Sequence, residues 1–375
     1  MKIGIDARMY GPRSSGLGRY SEQLIKNLEK IDSKNDYVIF LNKENFDSYI
    51  PQAENFRKVL ADISWYSFAE QTKFVKILYK EKLDLMHFTH FNVPFFYRKK
   101  FIVTIHDLIM YHFPRPEATT KSKIIFFIKD KIHRLVLQSA CRQAEKILTT
   151  SDFSRRDIVK FLKIKPEKIQ VIYQAPFCVL KNVSNPEILQ KLNLVNKKYF
   201  IYVGNAYPHK NLENLVKAWN IFKDKNNLEN YYLLLVGRKN YFYDRLLKNL
   251  DFIKSQGIIY ADFVSDEELQ TLYENSEAYI FPSLYEGFGL PPLEAMFYGI
   301  PVLSSNASSL PEILADSSLY FDPLSVQNIA DVIEFFVQNK DLQMELQQKS
   351  REHVKYFSSE KLARETLEEY NKIKI

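Results

Sequence analysis

Short apolar runs recur along the chain, and polar or glycine-containing loops follow them. β-Branched and aromatic residues dominate runs such as Phe101 to Ile105, Tyr199 to Val203 and Tyr232 to Val236. Continuous apolar runs are typical of parallel strands that are buried on both faces. Segments with helical periodicity lie between them, for example Tyr20 to Leu28. This alternation predicts an α/β protein with parallel sheets.

The apolar runs form two groups along the 375 residues, a length that fits two or three domains. Residues 176–198 contain two prolines and several asparagines, which are typical of a linker. We therefore predict an N-terminal domain over 1–180 and a C-terminal domain over 190–356.

One stretch carries a particularly clear βαβ pattern. The apolar run Ala278 to Phe281 ends at Pro282, a glycine-rich loop and a short helical segment follow, and Gly299 precedes the run Ile300 to Leu303. In an open α/β sheet such a loop lies at the carboxyl ends of the strands, where ligands bind. This stretch is therefore the first candidate for a binding site.

The loop residues indicate the chemistry of the ligand. Gly287 and Gly289 allow close backbone approach, and the N–H groups of residues 288–290 precede a helix N-terminus, which attracts phosphate. Glu286 and Glu294, with seven residues between them, are suited to accept hydrogen bonds from sugar hydroxyls. We infer a sugar-phosphate ligand with hydroxyls at both ends.

The string EGFGLPPLEAM, followed by G-x-P-V and SSLPE, resembles the retaining glycosyltransferases of family 4. The resemblance covers nearly the whole chain. It implies a GT-B fold, in which two Rossmann-like domains face each other across a cleft, and a nucleotide-sugar donor. It further implies that Glu286 and the 288–290 backbone contact the donor sugar and diphosphate, while Glu294 holds the ribose. The tail from about 357 to 375 resembles the family's closing helix, which packs back on the N-terminal domain.

The resemblance also assigns other loops. Gly16 and Gly18 resemble the N-domain loop that closes over the donor diphosphate, and Lys210 resembles the phosphate-binding lysine. Asn205 stands where family members commonly carry an arginine, which leaves one fewer positive charge on the leaving group unless Arg238 or Arg19 substitutes.

His106 and Asp107 follow a buried strand and resemble the family's His-Asp pair. The resemblance implies that His106 hydrogen-bonds the donor sugar and helps to place the acceptor, while Asp107 holds its ring or its loop. The alternative is a structural histidine paired with a neighbouring carboxylate. The predicted site has catalytic His106, Glu286 and Lys210; donor-binding Gly16, Gly18, Asn205, Lys210, Arg238, Phe263, Val264, Glu286, Gly287, Phe288, Gly289, Leu290 and Glu294; and acceptor-side His90, Asp107 and Ser151.

Neither a metal nor a cofactor is expected. The sequence lacks an H-x-x-x-H or DxD arrangement in these clusters, and its two cysteines show no metal-ligand spacing. The nucleotide sugar would be a substrate.

Positive charge is concentrated in the first half of the chain. Residues 1–185 hold 32 Lys and Arg against 19 Asp and Glu, a net charge of +13, although the whole chain carries only +7. Such a surface fits nucleic acid, an anionic membrane or simple solvation. The segment Lys121 to Ala140 predicts a basic amphipathic helix that either lies in a membrane interface or packs its apolar face on a sheet.

The predicted function is transfer of a hexose from a GDP- or UDP-linked donor to a glycan or lipid-linked acceptor in bacterial surface polysaccharide synthesis. Mannose is the first candidate for the sugar. No apolar run is long enough to span a membrane, and the first residues do not resemble a signal peptide. We therefore expect a cytoplasmic protein, peripheral at the inner face of the membrane. The alternatives are a phosphorylase or epimerase relative, a basic nucleic-acid-binding protein and a catalytically idle glycan-binding homologue.

Overall fold

The computed structural model describes residues 1–11, 15–114, 123–177, 185–226, 230–250 and 257–374. The chain divides into two compact units. The N-terminal unit consists of Met1–Phe177 together with Phe357–Ile375, and the C-terminal unit consists of Cys178–Tyr356. Residue 178 and its neighbours to 184, in the middle of the predicted linker, lie outside the described residues.

Each unit contains one sheet in which every pair of neighbouring strands is parallel. The N-terminal sheet is formed by β1 (Lys2–Asp6), β2 (Asp36–Leu41), β3 (Phe56–Leu60), β4 (Leu85–Phe88), β5 (Phe101–Ile105), β6 (Lys146–Thr149) and β7 (Ile169–Val171), in the order β3-β2-β1-β4-β5-β6-β7. The C-terminal sheet is formed by β8 (Lys198–Val203), β9 (Tyr231–Val236), β10 (Ile258–Ala261), β11 (Ala278–Phe281), β12 (Val302–Ser305) and β13 (Ser318–Phe321), in the order β10-β9-β8-β11-β12-β13. Both orders are those of the doubly wound Rossmann fold.

The helices connect these strands. In chain order they are α1 (Ser15–Ile31), α2 (Val75–Lys80), α3 (Ile109–His112), α4 (Lys123–Gln143), α5 (Asp152–Leu162), α6 (Glu187–Lys191), α7 (Leu212–Asn226), α8 (Tyr241–Leu250), α9 (Asp266–Glu274), α10 (Leu290–Phe297), α11 (Leu310–Leu314), α12 (Val326–Gln338), α13 (Lys340–His353) and α14 (Ser359–Lys372). A π-helical turn, Glu70–Phe74, leads into α2.

Helices cover both faces of the N-terminal sheet. On one face, β1 and β2 pack against apolar residues of α1 and against Leu362, Ala363 and Tyr370 of α14. On the other face, β4 and β5 pack against α2 and the carboxyl half of α4. The predicted closing helix is therefore part of the N-terminal core. Tyr370 also forms a 2.6 Å hydrogen bond with Nδ1 of the buried His87.

The prediction of two Rossmann-like α/β domains is confirmed, but several local predictions were wrong. Helix α1 begins at Ser15, so Gly16 and Gly18 lie in its first turn rather than in the loop. A Cβ on Gly18 would lie 2.0 Å from the carbonyl oxygen of Gly11 and 2.4 Å from that of Met9, which explains the glycine by close backbone approach. Strand β13 and helices α6, α8 and α9 have short or mixed sequences with weak periodicity, so the apolar pattern does not indicate them.

Helix α4 is confirmed, but its apolar residues do not all face the sheet. Leu137, Ala140 and Cys141 are buried, whereas Phe127, Ile128, Ile132 and Leu135 are exposed by 64, 55, 54 and 58%. Residues 127–135 of the helix therefore present several apolar side chains to solvent. Of the helices that the structure describes, none combines the length and apolar character needed to cross a bilayer.

Candidate active site

Each sheet has one point where its strand order reverses. This switch point lies between β1 and β4 in the N-terminal sheet and between β8 and β11 in the C-terminal sheet. Crossovers from the two inner strands leave in opposite directions there, which opens a crevice at the carboxyl ends of the strands. The loops after β1, β4, β8 and β11 are therefore the first places to look for ligand-binding groups.

The loop after β11 has the form that its glycines predicted. Gly289 adopts φ +109° immediately before α10, a conformation that disfavours a side chain. The hydroxyl of Ser309 donates to the carbonyl oxygens of Glu286 at 3.0 Å and Phe288 at 3.1 Å, and the Glu286 N–H donates to Ser308 Oγ at 2.9 Å. The serines of the SSLPE string thus hold the turn in shape, a role the sequence analysis did not assign.

This turn presents hydrogen-bond donors at the start of α10. The N–H groups of Gly289 and Leu290 donate to no residue in the described ranges. Pro291 and Pro292 follow and have no N–H to offer. Two amide donors at a helix N-terminus form a suitable environment for a phosphate oxygen.

Lys210 and Glu286 meet at the switch point of the C-terminal sheet. The Lys210 ammonium donates to Glu286 Oε1 at 2.7 Å, and the two side chains are only 14% and 9% exposed. Lys210 follows β8 and Glu286 follows β11, so two predicted site residues 76 positions apart lie in direct contact. The ammonium has three donors, so a ligand oxygen can be bound without breaking this ion pair.

A second group of predicted residues lies after β9 and β10. The Arg238 guanidinium carbon lies 5.4 Å from the centroid of the Phe263 ring, and that ring is 69% exposed. Asp262 Oδ1 accepts from the N–H groups of Lys239 and Phe263, both at 2.8 Å, and these bonds lower the pKa of Asp262. The two loops are thereby joined into one surface, which includes an accessible aromatic ring beside a cation.

Three further residues predicted for the donor side lie after β10, in α10 and after β8. Val264 is half-buried in the loop after β10. Glu294 is half-buried in α10 and contributes to raising the pKa of the buried Tyr279, for which burial is the larger cause. Asn205 is half-buried after β8, and its carbonyl oxygen accepts from the Tyr202 hydroxyl at 2.8 Å.

His106, in the N-terminal unit, is held through both ring nitrogens. Nε2 lies 2.9 Å from the carbonyl oxygen of Thr89, and Nδ1 lies 2.8 Å from Nε2 of Gln174. A carbonyl only accepts, so the proton is on Nε2 of the ring and Nδ1 accepts from the Gln174 amide. Burial lowers the pKa of His106 to about 4. The imidazole is therefore neutral near pH 7, and its two nitrogens are already occupied by protein groups.

Asp107 and Ser151 stabilise backbone near His106. Asp107 Oδ1 accepts from the N–H of Ile109 at 2.8 Å, a contact within its own loop. Ser151 is buried and caps α5 by accepting from the N–H of Ser154 at 3.0 Å. Both residues have a structural task in this conformation.

His90, the remaining acceptor-side residue, follows β4. Burial lowers its pKa to about 3, and its ring centroid lies 4.0 Å from that of Phe91. Its Nδ1 is buried and has no hydrogen-bond partner among the described residues. His90 therefore keeps a free acceptor or donor position that His106 lacks.

A buried charged cluster that no sequence motif indicated lies at the N-terminal switch point. The Arg8 guanidinium donates to both carboxylate oxygens of Asp6, at 2.9 and 2.7 Å, and to Glu70 Oε1 at 2.7 Å. Asn92 donates to Glu70, and the Phe74 ring lies 3.9 Å below the guanidinium. Burial acts to lower the pKa of Arg8, but the two carboxylates outweigh it and keep that pKa above its ordinary value. The sequence offered one indication of this cluster, the charged residues Asp6 and Arg8 at the end of β1 and just after it.

Within the described ranges, no three His, Cys, Asp or Glu side chains are grouped so that they could hold a metal ion. The groups that the structure offers to an anion are the Lys210 ammonium and backbone amides.

The comparisons with known proteins agree with this architecture. The model of Glycosyltransferase Family 4 matches residues 14–175, and that of Glycosyl transferases group 1 matches residues 184–353. The O-antigen chain mannosyltransferase B of Escherichia coli is 28% identical over 95% of this chain and 96% of its own length. The O-antigen chain mannosyltransferase RfbU of Salmonella typhimurium is 27% identical over 70% of this chain and 68% of its own length.

Solved structures share the fold at low sequence identity. Sucrose-phosphate synthase from Thermosynechococcus elongatus matches with a TM-score of 0.76 at 18% identity, covering 99% of this chain and 98% of that one. Anabaena Alr3699/HepE, in complex with UDP and glucose, matches with a TM-score of 0.75 at 15% identity over the whole of both chains. Two family models that together span both units, with full-length relatives among glycosyltransferases, show that this chain belongs to the family 4, group 1 glycosyltransferases.

Proposed function

We propose that this glycosyltransferase transfers a hexose, with retention of anomeric configuration, from a nucleotide sugar to a glycan or lipid-linked acceptor in the synthesis of a bacterial surface polysaccharide. The similarity to two O-antigen mannosyltransferases supports mannose as the sugar and polysaccharide synthesis as the setting. The similarity of the fold to a structure that holds UDP and glucose is compatible with a nucleotide-sugar donor.

One observation carries the proposal. The Lys210–Glu286 ion pair lies at the C-terminal switch point, in the same loop system as the unbonded N–H groups of Gly289 and Leu290. A diphosphate leaving group accumulates negative charge as the glycosidic bond breaks, and fixed donors that are already oriented stabilise that charge. We assign this task to Lys210 and the amides of residues 288–290, without a metal ion.

The carboxylates have a different task in this proposal. Glu286 orients the Lys210 ammonium through the 2.7 Å contact and accepts a hydrogen bond from a sugar hydroxyl with its second oxygen. Glu294 accepts hydrogen bonds from the ribose. Arg238 and Phe263 form one side of the nucleobase site, where the exposed ring can stack on a base.

On the acceptor side, His90 is the better placed histidine in the conformation described. Its Nδ1 has no partner in the described ranges, whereas both nitrogens of His106 are bonded to Thr89 and Gln174. For His106 to bind the donor sugar, one of those two bonds must be exchanged. We therefore propose that His106 positions the Thr89 loop in the conformation described. Binding of the substrate would drive the replacement of one of its two hydrogen bonds by a bond to the donor sugar.

Binding and turnover measurements test this function. The experiment measures thermal stabilisation by UDP, GDP and dTDP and sugar transfer from GDP-mannose and UDP-glucose, with wild type, Lys210→Ala and Glu294→Ala. A ligand that binds only the folded state raises its stability, so one nucleotide series should stabilise the wild type and lose its effect in both variants. Lys217→Ala, an exposed lysine on α7, is the matched control. If no nucleotide stabilises the wild type, the proposed function is wrong.

A membrane-facing surface on α4 belongs to the same proposal. Phe127, Ile128, Ile132 and Leu135 are exposed, and the exposed Lys129 and Lys131 alternate with them. Apolar side chains flanked by lysines suit the interface of an anionic bilayer, where a lipid-linked acceptor would be found. The basic N-terminal half adds electrostatic attraction.

Vesicle sedimentation tests this surface. We expect the wild type to bind phosphatidylglycerol vesicles more strongly than phosphatidylcholine vesicles, and Phe127→Ser/Ile128→Ser to lose most of that binding. Phe335→Ser, at an exposed aromatic residue of α12, is the control. Equal binding by both variants would contradict a membrane role for α4.

A further inference from the structure

Three buried tyrosines converge on the loop after β8. The hydroxyl of Tyr279 donates to the carbonyl oxygen of Val203 at 3.1 Å. Those of Tyr243 and Tyr202 donate to the carbonyl oxygens of Gly204 and Asn205, both at 2.8 Å. Three consecutive carbonyl groups at the switch point are thus each held by a phenol. None of the three tyrosine side chains belongs to the site that the sequence motifs indicated.

The phenols are suited to this task because they remain protonated. All three are completely buried, and burial raises the pKa of Tyr202, Tyr243 and Tyr279 well above the ordinary value. Each hydroxyl therefore keeps its proton for the carbonyl. Tyr243 has a second carbonyl, that of Val236, at 3.5 Å, but Gly204 is closer.

Two glycines make room for this arrangement. A Cβ on Gly204, whose φ is +153°, would lie 2.8 Å from the Tyr202 hydroxyl oxygen. A Cβ on Gly237 would lie 2.0 Å from the Gly204 carbonyl oxygen and 2.6 Å from the Tyr243 hydroxyl oxygen. The loop backbone and the phenols therefore approach each other as closely as glycine allows.

The orientation of a peptide carbonyl determines the orientation of the N–H in the same planar peptide group. All peptide bonds described are trans, so the N–H of each residue points opposite to the preceding carbonyl. The Asn205 N–H therefore points away from the Tyr243 hydroxyl, and the Ala206 N–H points away from the Tyr202 hydroxyl. Neither N–H donates to a residue in the described ranges. Ala206 also lines a pocket together with Tyr207, Asn211 and Phe242.

We infer that Tyr202 and Tyr243 are positioning residues that hold the Asn205 and Ala206 amides ready to bind an oxygen of the donor diphosphate. The inference rests on the proposed function and deepens it. Backbone N–H groups that have no protein acceptor can donate to an anion, and Lys210 follows in the same loop. These amides supply donors at the position where an arginine is common in the family and this chain has Asn205.

The test compares phenol-to-phenyl variants. Tyr243→Phe and Tyr202→Phe remove one hydroxyl each and leave a buried carbonyl without its donor. We expect each to weaken binding of UDP or GDP by about three- to tenfold, the range that one net hydrogen bond supplies, with no change in binding of uridine or guanosine. The measurement is isothermal titration with the nucleoside diphosphate that stabilises the wild type and with its nucleoside.

Tyr199→Phe is the matched control. Tyr199 is buried in the same strand, and its hydroxyl donates to the Leu272 carbonyl at 2.6 Å, in a contact that does not involve residues 203–205. It should lose stability in a similar way but keep wild-type affinity for the diphosphate. Equal weakening by Tyr199→Phe, or unchanged affinity in Tyr202→Phe and Tyr243→Phe, overturns the inference while the proposed function stands.

An NMR measurement on the wild-type chain tests the amides directly. With selective ¹⁵N labelling of asparagine and alanine, addition of inorganic pyrophosphate should shift the amide signals of Asn205 and Ala206. Unmoved signals at saturating pyrophosphate overturn the inference. If the wild type binds neither UDP, GDP nor pyrophosphate, the inference and the proposed function are both wrong.

Discussion

The two switch points of this chain have the same strand order but differ in whether the polar groups beside them are hydrogen-bonded to protein partners. In the N-terminal unit the charged and imidazole groups of Arg8, Asp6, Glu70 and His106 bond to protein partners. In the C-terminal unit, amides at 205, 206, 289 and 290 have no acceptor in the described ranges. The first arrangement stabilises a shape, and the second leaves donors available to an anionic ligand.

This contrast teaches that two sheets with the same strand order can differ in whether the crevice at the switch point offers hydrogen-bond donors to a ligand. The Arg8 guanidinium donates to both oxygens of Asp6 and to Glu70, and Glu70 also accepts from Asn92, so these groups have little hydrogen-bonding capacity left for a ligand. Unsatisfied amides on a rigid loop gain hydrogen bonds when a ligand arrives. We therefore expect substitutions in the N-terminal cluster to affect stability first, and substitutions in the C-terminal loops to affect donor binding first.

Arg8→Met should have the largest effect on stability. It leaves Asp6 and Glu70 buried without their shared partner, and breaking a buried pair from one side costs about 3–5 kcal/mol. Urea unfolding measures this loss. Arg155→Met is the control, because its ion pair with Asp152 is close to half exposed on both sides and should contribute little. Similar losses in the free energy of unfolding for both variants would contradict the structural role that we give to the Arg8 cluster.

Lys210→Ala should have the largest effect on activity. Loss of one oriented donor to a developing oxyanion lowers turnover by about 10²–10³-fold. The free energy of unfolding should change less than in Arg8→Met, because one carboxylate loses its partner instead of two. Steady-state kinetics with the accepted nucleotide sugar, alongside Lys217→Ala, provide the measurement. A change confined to stability would contradict the proposed task of Lys210.

Acidification should destabilise the N-terminal unit. Burial lowers the pKa of His87 to about 3, below the ordinary value of 6.5. Between these values the unfolded chain binds more protons than the folded one, so the stability present above pH 6.5 is lost as the pH falls. The slope for one such group is about 1.4 kcal/mol per pH unit. Urea unfolding at pH 7 and 5.5 should show this fall in the wild type and a smaller one in His87→Gln. An equal fall in both would show that His87 is not responsible.

Asn205→Arg should have the smallest effect. It adds a cation beside amides that are already oriented, so we expect an increase in diphosphate affinity of about three- to tenfold. Asn205→Gln, which adds length without charge, controls for size. A gain of many orders of magnitude would mean that the amides of 205 and 206 contribute little and that the missing arginine was the main deficit.

Several features could be predicted from local sequence alone. The buried strands appear as continuous apolar runs. The glycine loop before Pro291 predicted the turn at Gly289, because glycine accepts the positive φ found there and proline suits the first turn of the short helix that follows. Lys210 and Glu286 were predicted as site residues from the family resemblance and from their positions after strands, and the structure places them in contact. These signals are local, since each depends on a few neighbouring residues.

Other features depend on residues that are distant in the chain. Gln174 reaches His106 across 68 positions, and Tyr243 reaches Gly204 across 39. A glutamine or a tyrosine has no sequence pattern that reveals its hydrogen-bond partner, because the partner is chosen by packing. The start of α1 was also misplaced, and the close approach of Gly18 to the carbonyl oxygens of Met9 and Gly11 is likewise a contact that no local pattern reveals.

The resemblance to the family implied two Rossmann-like domains, and the sequence by itself determined most of their strands and the glycine and carboxylate positions of the loop after β11. Those properties follow from hydrophobic periodicity and from local backbone freedom. Only the tertiary structure decided which polar groups are satisfied and which remain available. Satisfaction of a hydrogen bond depends on geometry between distant segments, so the occupied nitrogens of His106 and the unbonded amides of Asn205 and Ala206 emerge only after the chain has folded.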